Sequence, residues 1–106
     1  MYKIYVGEIS SDRQTDWFRK DENPYAVWSG KPIATEVCTI ETLTVADQLL
    51  CDGVDIDWGS RAWRGSKKQI MVFFKTHDWD RTPLQKLKNT GDYVVVFIES
   101  VWGDSA

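Results

Sequence analysis

A chain of 106 residues with 42% apolar content, six tryptophans, four tyrosines and four phenylalanines holds enough apolar mass for one hydrophobic core and too little for two domains, so residues 1–106 are expected to form a single domain. The net charge of −3 by itself argues neither for nucleic-acid binding nor against it, while the aromatic content excludes a low-hydrophobicity disordered chain. The longest apolar run, Val94 to Ile98, is far shorter than the roughly 20 residues of a membrane span, and the start, MYKIYVGEISSDR, has no signal-peptide pattern. A cytoplasmic chain that begins at Met1 is expected. The two cysteines, Cys38 and Cys51, form no CxxC pair and are expected to stay reduced.

In chain order, Tyr2, Ile4 and Val6 alternate with Lys3 and Tyr5, the period-two mark of a half-buried strand over residues 2–9. Residues 10–32 contain the breakers Asn23-Pro24, Ser29-Gly30 and Lys31-Pro32 and predict a long loop pinned down by Trp17, Tyr25 and Trp28. The β-branched density from Ile33 to Leu43 predicts a second strand. Thr44 with Asp47 three residues later reads as a capping box opening a helix with Val45, Ala46, Leu49 and Leu50 on its apolar stripe, and Gly53 as its stop. Val54, Ile56 and Trp58 alternate with Asp55 and Asp57, which predicts an edge-like strand. Residues 59–66 then read as a connection and Gln69 to Lys75 as a buried strand, making a hairpin with a basic tip. Thr82-Pro83-Leu84-Gln85 carries a threonine cap, a first-turn proline and a glutamine at the capping-box position, so a second helix is expected to run to Gly91. The continuous apolar stretch within Tyr93 to Val101 predicts a central strand.

Together these elements predict an α+β fold: a ferredoxin-like split βαβ motif, βαββαβ, with an extra N-terminal strand and two helices on one face of a mainly antiparallel sheet. An α+β domain with another strand order is the alternative.

No nucleophile elbow, P-loop or dinucleotide fingerprint is present, and no second histidine or cysteine pair accompanies His77. Asp55 and Asp57 share a strand face, and with His77 they are the candidates for a metal-dependent hydrolase, but two aspartates there are also simply the wet side of a strand. The expectation is a non-enzymatic protein without metal or cofactor.

Charge distribution is the more informative feature. Between Pro32 and Ser60 stand six acids (Glu36, Glu41, Asp47, Asp52, Asp55, Asp57) and no lysine or arginine, whereas Arg61 to Lys75 holds five bases and no acid. An acidic surface attracts basic protein patches and repels phosphate. Trp63 and Trp79 fall in expected loops, where an exposed tryptophan suits an interface. These patterns predict a binding surface of Glu36, Asp47, Asp52, Asp55, Asp57, Trp63 and Trp79 that docks onto a larger protein with a basic surface, such as a nuclease or another nucleic-acid-handling enzyme. Small acidic domains without catalytic motifs suit immunity proteins paired with toxins and phage-encoded inhibitors of bacterial defence. The rival expectation is a nucleotide- or RNA-binding module using Arg61, Trp63, Arg64, Lys67 and Lys68, where a tryptophan between cations would stack on a base. An exposed strand edge at residues 2–9 or 54–58 would also permit a homodimer.

Overall fold

The computed structural model describes residues 2–9, 28–56 and 59–99. Five strands, β1 (Tyr2–Ile9), β2 (Trp28–Cys38), β3 (Cys51–Ile56), β4 (Ser60–Ser66) and β5 (Asp92–Glu99), form one sheet in the order β2-β1-β5-β4-β3, with every neighbouring pair antiparallel. Helix α1 (Thr42–Leu49) joins β2 to β3, while α2 (Lys67–Thr76) and a 3-10 helix (Thr82–Lys86) join β4 to β5. The chain thus has the expected α+β architecture, a five-stranded antiparallel sheet with two helices, although its strand order fits the ferredoxin-like layout only loosely. The first strand inserts between β2 and β5, so the α1 connection links the two opposite edges of the sheet. Adjacent β4 and β5 run antiparallel, so the α2 connection is not a βαβ crossover.

Pleat alternation divides the apolar residues between two faces. On the helix-covered face, Ile4, Val6, Ala34, Trp63, Tyr93, Val95 and Phe97 pack against Ala46, Leu50, Ile70, Phe73, Phe74, Leu84 and Leu87. On the other, Ile56, Ala62, Val94, Val96 and Ile98 form a second buried cluster with Tyr5 and Ile9 against it. Strand β5 is therefore buried on both sides, with six consecutive buried residues from Tyr93 to Ile98, as its apolar run predicts for the centre of a sheet.

Several local expectations are corrected. Gln69 to Lys75 is helical: Ser66 Oγ accepts from the Gln69 backbone N–H, and the Gln69 side chain accepts from the Ser66 N–H, a complete capping box. Ile70, Phe73 and Phe74 then share the buried face at helical spacing. The expected basic connection at 59–66 is instead largely strand β4, paired on both sides. Helix α1 starts at Thr42 and stops at Leu49, so Thr44 does not cap it and Gly53 belongs to β3. The helix expected to run to Gly91 is only a 3-10 helix, entered through an Asp80 carboxylate that accepts from the Thr82 N–H. Lys31 and Pro32 lie within β2 at the sheet edge, a position that tolerates a proline's missing N–H. Strand β1 is interior and offers no edge for pairing, whereas β3 is an edge. The predicted roles of Trp17, Tyr25, Asp57 and Trp58 lie outside the described residues, and of Trp28 only the backbone is described.

Candidate functional site

The acids of the middle third converge in part. Cross-strand register sets Asp55 opposite Arg61 and the Cys51–Asp52 bulge beside Arg64, while β4–β5 pairing brings Asp92 opposite Ser66. Helix α1 returns over this end of the sheet and lowers Asp47 onto β4. Arg61 Nε donates to Asp47 Oδ1 at 3.0 Å and Nη1 to Asp55 Oδ1 at 2.6 Å, with Nη2 3.4 Å from the Gly53 carbonyl oxygen. The Arg61 guanidinium also lies 5.9 Å from the Trp63 ring centre. Arg64 Nη2 donates to Asp92 Oδ2 at 2.6 Å, and its Nη1 lies 3.8 Å from Asp52 Oδ2.

Partial burial opposes the charge of Arg61, but its hydrogen bonds to Asp55 and Asp47, with their negative charges, outweigh it and hold the guanidinium above its ordinary pKa. The side chains of Asp47, Asp52, Asp55 and Asp92 remain 46%, 58%, 78% and 55% exposed. Four carboxylates against two guanidiniums leave this edge net negative. A recess of about 220 Å³ opens beside it, lined by Cys51, Asp52, Arg64, Gly65, Gln69 and Asp92.

Gly53 is required by close approach. A Cβ there would lie 2.8 Å from both Arg61 Nη2 and Trp63 Nε1 and 3.0 Å from Asp47 Oδ1, inside the network itself.

Both tryptophans expected at an interface are packed instead. Trp63 is fully buried because β4 points it under the helices, and its indole Nε1–H donates to Asp47 Oδ1 at 2.8 Å. Trp79 is half-buried by the way α2 ends. Asp78, at φ 57°, sits in the left-handed region; its N–H donates to the Lys75 carbonyl and the Trp79 N–H to the Phe74 carbonyl, the two bonds of a Schellman motif. The apolar contact that accompanies this motif is Trp79 against Phe74, with ring centres 5.2 Å apart.

His77 stacks on Trp79 at 4.2 Å; its Nδ1 donates to the Phe73 carbonyl at 3.0 Å, and Nε2 lies 3.3 Å from the Thr42 hydroxyl oxygen. This ring joins the end of α2 to the start of α1, whereas Asp55 is held by Arg61 on the β3 edge, so the two are not one cluster. Among the described residues no group of three or more histidine, cysteine or carboxylate side chains is arranged to hold a metal ion.

The predicted surface is therefore redrawn. Asp47, Asp52 and Asp55 come together, and Asp92, which has no mark in the sequence pattern, joins them. Glu36 sits on β2, separated from β3 by the three strands β1, β5 and β4. Of the rival nucleic-acid residues, Arg61 and Arg64 are engaged by carboxylates, Trp63 is buried away from any base, and Lys67 Nζ donates to the Gln85 carbonyl at 3.3 Å. Lys68 is exposed at the start of α2. No helix among the described residues is long and apolar enough to cross a membrane. Comparison with models of protein families, with curated proteins and with solved structures finds no match for this chain.

Proposed function

We propose that this chain is a non-enzymatic binding protein of the cytoplasm that docks the β3–β4 edge, through Asp52, Asp55, Asp92 and the outer side of Asp47, onto a larger basic protein and blocks it. The observation that carries the reading is the net-negative edge itself: four partly exposed carboxylates held by only two guanidiniums. A carboxylate has about four lone-pair sites, so each still offers acceptors to a partner's lysines or arginines. Their geometry is set in advance by Arg61 and Arg64, which lowers the ordering cost of association. A partner that handles nucleic acid suits this surface, because its groove is built to neutralise rows of negative oxygens. An immunity protein or a phage-encoded inhibitor of bacterial defence would use such an edge. The two free cysteines fit a reducing compartment.

The test is affinity capture from host lysate with the wild-type chain and with Asp52→Asn/Asp55→Lys. Asparagine is chosen at position 52 because its backbone is left-handed, at φ 58°, which asparagine tolerates better than lysine. A basic nucleic-acid-handling protein retained by the wild type at low salt and lost from an equally stable variant is the expected result. Equal capture by both chains, or direct low-salt binding of the wild type to a labelled oligonucleotide, would overturn the reading.

A further inference from the structure

A second surface lies on the outward side of α2. The inward side is filled by Ile70, Phe73 and Phe74, while Val72 is 44% exposed and Met71 half-buried. With Lys75 and Arg81 these two residues line a recess of about 230 Å³. Lys68 stands one turn before Val72 on the same side, so cations flank the apolar floor along the helix. Unlike Arg61 and Arg64, neither Lys68 nor Lys75 forms an ion pair among the described residues. Arg81 has the charge of its neighbour Asp80 close by.

We infer that this recess is a docking site for an acidic amphipathic segment of a partner protein, an apolar side chain seated on Met71 and Val72 and carboxylates reaching Lys68, Lys75 and Arg81. Charge complementarity selects this occupant. A purely polyanionic ligand would use the cations and leave the apolar floor wet, and a purely apolar one would desolvate the lysines without pairing them. Methionine adapts its shape to an incoming side chain, which suits a surface that accepts more than one sequence. The acidic edge of a second copy fits less well, since none of the exposed large apolar residues among those described, Val37, Ile40 and Val72, belongs to β3 or β4. This site is independent of the β3–β4 edge and takes ligands of the opposite charge.

The experiment titrates the full chain into a fluorescein-labelled synthetic peptide of about four helical turns, with leucines at three- and four-residue spacing and glutamates on both flanks. Saturable binding that weakens at least about tenfold in Val72→Glu and about two- to fivefold in Lys75→Gln is expected, in line with a central apolar contact and a rim charge. Both positions face outward, so melting temperatures near wild type confirm that each variant is folded. Absence of saturable binding overturns the inference. So does equal binding of the leucine-to-alanine peptide or of polyglutamate, which would mean charge alone, and so does tighter binding of a single-stranded oligonucleotide or an anionic lipid vesicle through the same residues.

Discussion

The Asp47 carboxylate is the joint between helix α1 and strand β4, and its removal has a calculable cost. In Asp47→Ala the indole N–H of Trp63, a side chain with no solvent exposure, loses its acceptor at 2.8 Å. A buried donor left unsatisfied costs about 1–3 kcal/mol. The Arg61–Asp47 pair is partly exposed and adds only about 0.2–1 kcal/mol, the more so because Arg61 keeps its bond to Asp55. The expected loss is about 2.5 kcal/mol, and at about 4 °C per kcal/mol for a chain of this size the melting temperature falls by about 10 °C. Urea unfolding followed by circular dichroism should show the midpoint falling at unchanged m-value. Asp47→Asn keeps an oxygen facing the indole and should lose less than about 1 kcal/mol. A cycle with Trp63→Phe removes the cavity term of the aromatic change and should return a coupling of about 1–2 kcal/mol. If Asp47→Ala falls within about 0.5 kcal/mol of wild type, or the two substitutions add, the carboxylate does not hold the indole and the joint is no joint.

Asp78→Gly relieves a left-handed residue at the end of α2, where an acid also opposes the helix dipole, and should raise the melting temperature by about 2–4 °C, whereas Asp78→Val should lower it. Gly65→Ala would place a Cβ 2.9 Å from Leu50 Cδ2 and 3.2 Å from Ile70 Cγ1, and overpacking there should cost about 1–3 kcal/mol in denaturant melts. Burial pushes the Cys38 thiol up to about 11 against the lowering effect of its Thr42 hydrogen bond, so iodoacetamide followed by mass spectrometry should modify exposed Cys51 at neutral pH and spare Cys38 until the chain unfolds. Because that thiol keeps its proton to higher pH in the folded state than in the unfolded one, its contribution to stability is complete below about pH 9 and is lost as the pH rises towards 11; a Cys38→Ala variant should lose less stability over that window than the wild type.

Strands β1 and β5 were legible because period-two alternation and a continuous apolar run each have a single structural meaning in a sheet. Helix α2 was not, because Ile70 to Phe74 is rich in β-branched and aromatic residues and a short apolar run has no decisive period. The signal that settles it is Ser66 with Gln69, which orders the helix start whatever residues lie downstream. The neighbouring element depends on it: a strand at 69–75 leaves residues 59–66 only the role of a connection, which puts Trp63 in solvent, whereas a helix there frees them to be β4. The alternation of Arg61, Trp63 and Gly65 with Ala62 and Arg64 did carry a strand pattern, hidden by two charges whose partners lie on other elements. Asp47, Asp52 and Asp55 could be grouped in advance because α1 and β3 are consecutive. Asp92 could not, since only the pairing of β4 with β5 carries it to that edge.

The same two arginines bear on both fold and function, in opposite senses. Each reduces the charge of the edge, which weakens any long-range pull on a basic partner. Each also holds two carboxylates against the side-chain freedom that an exposed aspartate otherwise keeps, so a partner meets acceptors already ordered. Asp47 is the most constrained of the four, bound by both Arg61 and Trp63, and the least free to serve a partner without loosening the core. Asp55 is the most exposed, and the Arg61 side chain that holds it is itself anchored by Asp47. If the edge binds as proposed, recognition therefore centres on Asp55 and Asp52, at the bulged outer strand, while Asp47 supports them from beneath.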